Sequence, residues 1–184
     1  MRVVLRQPGM RIRYAEPADA EEVAGFLVRN RTYFQPTEPT RSDEYFTTAG
    51  QRRRLERAAR ERDAGRSALF LIRLDGELVG RMNLGGIVRG AFQSANVGYA
   101  VDQKCAGRGI ASAALRELIR RAFDELDLHR LQGETQTTNL ASRRVLDRCG
   151  FEHYGTAHQY AKIEGSWQTI ELYQLLNHRH ASTG

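Results

Sequence analysis

The chain reads as an α/β protein with a mixed, mostly antiparallel sheet of about seven strands, one parallel pair at its centre and about four flanking helices. Three observations predict it. The 184 residues suffice for one core of ordinary size, and no internal repeat or low-complexity linker divides them, so residues 1–184 are read as one domain. Short glycine turns, above all Asp75-Gly76, separate apolar runs in the manner of antiparallel hairpins. In the middle a strand, a glycine turn, a helix and a further strand follow one another, a crossover that requires parallel pairing.

Residues 10–14 suit a first strand. Glu16-Pro17-Ala18-Asp19 starts a helix that runs through Asn30 with Val23, Phe26 and Leu27 as its apolar stripe. After a loop carrying Pro36 and Pro39, Ser42 is the candidate cap of a second helix that turns Tyr45, Phe46 and Leu55 inward and ends near Gly65. Strands at 68–74 and 77–85 flank the Asp75-Gly76 turn, and 93–101 follows the turn at Arg89-Gly90. Residues 111–126 carry Ala114, Leu115, Leu118, Ile119, Ala122 and Phe123 at helical spacing. A strand at 130–137 precedes a short helix at 140–148 that stops at Gly150. Strands at 152–162 and 167–176, joined at Glu164-Gly165, complete the chain, with Trp167 packing beneath this last hairpin.

Hydrophobic residues at 41% and charged ones at 27% are ordinary for a soluble globular protein and argue against a disordered or fibrous chain. The longest apolar runs, such as Ala68-Leu69-Phe70-Leu71-Ile72, fall far short of a bilayer span, so no membrane partner is expected. Arg2, Arg6, Arg11 and Arg13 interrupt the start, which is unlike a secretory signal, and a cytoplasmic location is expected. Cys105 and Cys149 have no metal-ligand spacing, and no metal is expected; Cys149 reads as core and Cys105 as an incidental loop residue. The net charge of +6 raises nucleic acid as a partner. Much of the excess, however, sits in residues 51–62, where Glu56/Arg60 and Arg57/Glu61 have the spacing of ion pairs on a solvated helix. No direct nucleic-acid readout is expected, while a partner bearing phosphates remains compatible.

Ala106-Gly107-Arg108-Gly109-Ile110-Ala111 opens directly into the third helix. The glycines permit positive φ and close approach, and the helix start offers unpaired amides and a positive dipole end. The same spacing also suits a plain strand-to-helix connection.

With the turn stand Val97-Gly98-Tyr99-Ala100-Val101 before it and residues 139–151, Asn-Leu-Ala-Ser-Arg-Arg-Val-Leu-Asp-Arg-Cys-Gly-Phe, after it. Together they resemble the GNAT acyltransferases, which bind acetyl-coenzyme A, and within them the ribosomal-protein alanine N-acetyltransferases of the RimJ/RimL type. The resemblance covers nearly the whole chain. Asn30-Arg31-Thr32-Tyr33-Phe34 with Glu38-Pro39, and Val88-Arg89-Gly90-Ala91-Phe92, look closer to the RimJ branch.

The resemblance implies a GNAT fold in which the fourth strand splays from the fifth, leaving backbone groups of Gly98, Tyr99, Ala100 and Val101 for the pantetheine amides. The pyrophosphate would rest on amides of Gly107, Arg108, Gly109, Ile110 and Ala111, with the Arg108 side chain in support. The family motif has glutamine or arginine where this chain has Ala106, so one side-chain contact is replaced. Asn139 matches the residue that bonds the cofactor arm and Ser142 the serine that acts as general acid toward the coenzyme A sulfur. Both positions also suit a helix cap and its first turn.

Acetyl transfer to an amine needs a deprotonated nucleophile, a polarised thioester, oxyanion stabilisation and a proton for the leaving thiolate. The two positions where the family carries a glutamate base hold Asn96 and Ala161 here. Glu134 is the nearest remaining carboxylate by sequence, the alternatives being a water relay or an amine that arrives neutral. An α-amino group, with a pKa of about 7.7–8.0, is partly neutral near pH 7, whereas lysine at ~10.4 is not, which favours α-amine acceptors. The acceptor groove would draw on Tyr33, Phe34, Glu38, Tyr154, His158 and Tyr160, with Glu38 holding a cationic peptide end.

The leading expectation is an acetyl-coenzyme A-dependent N-acetyltransferase, monomeric or homodimeric, that lets a protein N-terminus, such as that of a ribosomal protein, attack directly in a ternary complex. Two alternatives are a small amine or antibiotic as acceptor, and a non-catalytic ribosome-binding assembly factor.

Overall fold

The computed structural model of the protein describes residues 7–179. Its sheet has seven strands in the order β1-β2-β3-β4-β5-β7-β6. These are β1 (Met10–Tyr14), β2 (Ala68–Leu74), β3 (Glu77–Val88), β4 (Ser94–Val101), β5 (Arg130–Gln136), β6 (Glu152–Ile163) and β7 (Ser166–Leu176). Five helices accompany them: α1 (Ala20–Arg29), α2 (Arg31–Phe34), α3 (Thr48–Asp63), α4 (Ile110–Asp124) and α5 (Leu140–Arg148). The expected α/β class with one parallel pair, β4 with β5, is present, and the other neighbours pair antiparallel.

The alternation of β2 explains the layering. Phe70 and Ile72 join a core cluster with Met82, Leu84, Leu115 and Leu118, beneath α4 and α5. Leu71, one residue out of phase, joins Phe26, Leu27, Tyr45 and Leu55 beneath α1 and α3 on the other face. The β2–β3 hairpin turns on Asp75 at φ 50° and Gly76 at φ 88°, both in the left-handed region that a two-residue turn of this hand requires.

Several boundaries differ from expectation. The helix beyond the four expected, α2, is a single turn split from α1 at Asn30, whose buried side chain donates to the Phe26 carbonyl at 2.9 Å and accepts from the Gln103 amide at 3.0 Å. Ser42 does not cap α3. It precedes a 3-10 turn at Asp43–Phe46, and Thr47, extended at φ −93°, caps α3 by accepting from the Gly50 amide at 3.0 Å. A Cβ at Gly50 would lie 2.0 Å from the Glu44 carbonyl, so the turn and the helix start pack too closely for a side chain there.

Cys105 is core rather than incidental: a 3-10 turn at Gln103–Cys105 tucks it in at 7% exposure. Cys149 packs against the same cluster, and burial pushes its thiol up to about 11. Trp167 is 61% exposed, so it does not pack beneath the last hairpin. The ion pairs expected along α3 do not form among the described residues; Glu61 instead accepts from Arg66 at 2.7 and 2.9 Å, and nothing in the structure explains the absence of a Glu56–Arg60 pair. No helix among the described residues is long and apolar enough to cross a membrane.

What positions the site is the short parallel pairing. β4 meets β5 only from Ser94/Arg130 to Val97/Gly133. Beyond it β4 stays on β3 through Val101, while β5 stays on β7 through Gln136, so the two strands part. At the point of parting, a Cβ on Gly133 would come within 2.7 Å of Leu146, which lets α5 sit tightly against β5 beside the gap.

Candidate functional site

The parting of β4 and β5 opens a cleft of about 710 Å³. Gly98, Tyr99, Ala100 and Val101 form one wall, and Gly133, Glu134, Thr135 and Gln136 the other. With β5 absent beside Gly98 to Val101, that edge of β4 has no strand to accept or donate its backbone bonds.

The glycine turn closes one end. Gly107 at φ 75° and Gly109 at φ 79° bend the chain so that α4 begins at once, and among the described residues no side chain caps it. The first bond into the helix runs from the Ala113 amide to the Gly109 carbonyl at 3.0 Å. The amides of Ile110, Ala111 and Ser112 therefore precede any intrahelical partner, and all three residues line the cleft. A Cβ at Gly107 would meet nothing within 4 Å, so its conformation, not crowding, requires glycine.

The first turn of α5 forms the adjoining wall. Asn139 caps the helix by accepting from the Ser142 amide at 3.1 Å, and both residues line the cleft. The Ser142 hydroxyl lies 2.9 Å from the Tyr99 phenol, which also donates to the Ser142 carbonyl at 3.1 Å. These bonds tie β4 to α5 across the opening, and burial raises the Tyr99 phenol above its ordinary range. On β5 the Thr135 hydroxyl is buried without a hydrogen-bond partner among the described residues.

The cleft thus gathers Gly98, Tyr99, Ala100, Val101, Ala106, Gly107, Gly109, Ile110, Ala111, Asn139, Ser142 and Glu134, with Tyr33, Phe34 and Glu38 at its other end. Arg108 is not among its lining residues: its guanidinium approaches the Cys105 sulfur at 4.0 Å and its carbonyl accepts from the Gln7 side chain at 2.7 Å. Tyr160 also stands outside the lining, where its phenol donates to Glu134 at 3.0 Å. Burial and that carboxylate raise the Tyr160 phenol. Phe34 is a core residue, 7% exposed, with its ring tilted at 46° against that of Phe26 at 5.6 Å. Glu38 is held by Arg81 at 2.7 and 2.9 Å, so its charge is met by the protein itself. Tyr154 bonds Gln132 at 3.3 Å, and His158 is an exposed residue of β6 outside the lining. Ala161 lines the cleft, leaving no carboxylate at that position.

Sequence reasoning missed Arg144 and Arg148, which both line the cleft from α5. Their spacing of four along a helix was the available signal, since it puts both on the face that carries Ala141 and Val145. It also missed Arg81, whose place in the middle of β3 resembles any other polar strand residue until Glu38 and Tyr45 are seen beside it.

The comparisons agree with this geometry. A family model described as an acetyltransferase (GNAT) domain matches residues 10–152. The chain is 36% identical over 168 residues to the Bacillus subtilis (strain 168) protein named Probable N-acetyltransferase YjcK, covering 90% of this chain and 93% of that one. It is 31% identical over 160 residues to the [Ribosomal protein uS5]-alanine N-acetyltransferase of Escherichia coli (strain K12), covering 85% and 82%. Among solved structures, the ribosomal-protein-S5-alanine acetyltransferase of Vibrio fischeri superposes with a TM-score of 0.90 at 28% identity, covering 94% of this chain and 96% of that one. Mycobacterium smegmatis RimJ in complex with CoA-disulfide gives 0.90 at 28% identity, covering 95% and 86%. The strand order, the parted β4–β5 pair and these matches lead to one conclusion: the chain belongs to the GNAT acetyltransferases.

Proposed function

We propose that the protein is an acetyl-coenzyme A-dependent N-acetyltransferase of the ribosomal-protein type, acting on the α-amine of a protein N-terminus by direct attack in a ternary complex. The observation that carries this reading is the gap between β4 and β5, which ends on the uncapped start of α4. A peptide-like arm with a pyrophosphate fits such a cradle: amide groups along one strand edge, free helix N–H groups at its end, and the cations Arg144 and Arg148 on the same wall. The buried, unpartnered Thr135 hydroxyl is a further donor on the opposite wall.

In this reading the backbone of Gly98 to Val101 holds the arm, and the amides of Ile110, Ala111 and Ser112 hold the pyrophosphate. When bound, acetyl-coenzyme A supplies an acetyl thioester whose carbon the amine attacks and whose sulfur leaves. Ser142 keeps a proton at Oγ for that sulfur, with Asn139 fixing its backbone and Tyr99 its hydroxyl. Burial raises the Tyr99 phenol, which favours the neutral form that makes this bond. Arg108 supports the turn through its backbone rather than through its guanidinium. Glu134 stands at the acceptor side, accepting a bond from Tyr160.

Asn96 and Ala161 occupy the two positions the resemblance assigns to a base, and Glu134, the carboxylate of the cleft wall, already accepts from Tyr160, so in this reading the acceptor supplies its own neutral form. The sign follows: kcat/KM rises with pH while the amine loses its proton, is half-maximal at the α-amine pKa of about 7.7–8.0 and levels off about a unit above it. An acceptor panel tests the reading. Peptides copying ribosomal-protein N-termini are expected to be acetylated on the α-amine with this pH profile, as read by mass spectrometry. Transfer only to small amines, or to lysine in peptides with a blocked N-terminus, would contradict it.

A further inference from the structure

A second cavity, about 150 Å³, lies beside the acceptor end of the cleft and shares Phe34 and Glu38 with it. Tyr45 and Phe46 line it together with Arg31 and Arg41, and Arg54 and Arg81 reach Tyr45 from outside the lining. The Arg41 and Arg54 guanidiniums lie 4.9 and 4.8 Å from the Tyr45 ring centre, and Arg31 lies 4.2 Å from that of Phe46. Arg81 donates to the Tyr45 hydroxyl at 2.5 Å. Two of these cations are balanced, Arg31 by Asp43 at 2.8 Å and Arg81 by Glu38. Neither Arg41 nor Arg54 has a carboxylate within 4.0 Å among the described residues. The remaining acid of the lining is Glu164, which reaches the cavity from the β6–β7 turn and forms no ion pair there among the described residues.

We propose that this cavity is an acceptor subsite for an acidic side chain, Asp or Glu, a few residues beyond the reacting N-terminus, with Arg41 of its lining as the counter-ion and Arg54, against the same Tyr45 ring, adding to the positive field. The inference rests on the peptide-acceptor reading above. Guanidiniums present fixed, planar pairs of donors that match a carboxylate, and here the Tyr45 ring holds two of them in place. The position beside the cleft suits a residue of the same polypeptide, since Phe34 and Glu38 wall both spaces. Glu164 is the protein's own negative charge on this wall, and an acceptor carboxylate enters against it. The subsite therefore selects among N-termini by charge without taking part in transfer.

The test uses peptides with a free N-terminus that differ only in Glu against Gln at one of the second to sixth positions. At one position kcat/KM is expected to favour Glu by about 3- to 10-fold, the range of a partly exposed, charge-assisted contact. That ratio should fall to about one in R41M/R54M and rise in E164Q, which removes the competing charge and leaves the arginines in place. Titration with the same peptides as N-acetylated products reads the subsite without turnover. Equal binding of the Glu and Gln products at every position overturns the subsite, as does a Glu preference that survives R41M/R54M. A Glu preference in product binding with no α-amine turnover on any peptide would keep the subsite and overturn the transferase reading instead.

Discussion

Ser142→Ala is expected to lower kcat by about 100-fold while changing coenzyme A affinity by about twofold or less, the pattern of a group that acts in the transition state. The geometry motivates the split. Ser142 contributes its hydroxyl to the cleft, but its place is fixed from outside: the Asn139 side chain accepts from its amide and the Tyr99 phenol donates to its carbonyl. Neither bond needs the hydroxyl, so alanine keeps the start of α5 and removes the proton held for the departing sulfur together with the hydroxyl's bond to Tyr99. Stopped-flow turnover and calorimetric titration with coenzyme A separate the two quantities. A fall in affinity with kcat preserved would return Ser142 to the role of a polar first-turn residue.

Gly109→Val is expected to weaken coenzyme A binding by about 10- to 100-fold, equivalent to losing one charge-assisted hydrogen bond of about 1.5–3 kcal/mol. Gly109 sits at φ 79° as the residue that starts α4, and a β-branched side chain there is strained by about 1–2 kcal/mol or forces the turn to rearrange. Either outcome moves the amides of Ile110, Ala111 and Ser112, which are usable only because they point into the cleft together. Its Cβ would also approach the Gln7 side chain at 3.4 Å. Gly65→Ala is the control, because Gly65 shares a positive φ of 68° but lies after α3, away from the cleft. Equal affinity for the two variants in calorimetry would show that the turn is not the phosphate seat.

The sequence made some of this legible through local chemistry. Asp75-Gly76 announced its hairpin because only a few residues tolerate positive φ, and residues 139–151 announced a capped helix because Asn139 is three residues from the amide it accepts. The parted strands followed from the family resemblance rather than from any pattern in β4 itself. Other features depend on contacts between distant parts of the chain, and no local pattern carries them. Thr47 outcompetes Ser42 as a cap because Gly50 lets the preceding turn pack closely, a fact of three-dimensional fit. Cys105 reads as a loop residue until the turn beneath it meets the core. Arg108 looked poised for phosphate from its place between two glycines, yet its side chain lies toward Cys105, and the cations that do line the cleft come from α5. Glu38 lost its expected freedom to Arg81, 43 residues away in sequence.

A crystal structure with coenzyme A bound tests the central claim most directly. The arm is expected between β4 and β5, bonded to the backbone of residues 98–101, with the pyrophosphate on the amides of Ile110, Ala111 and Ser112 and with Arg144 or Arg148 beside a phosphate. Coenzyme A seated elsewhere, or a β4–β5 pair zipped together beyond Val97 and Gly133 when it is bound, would contradict it.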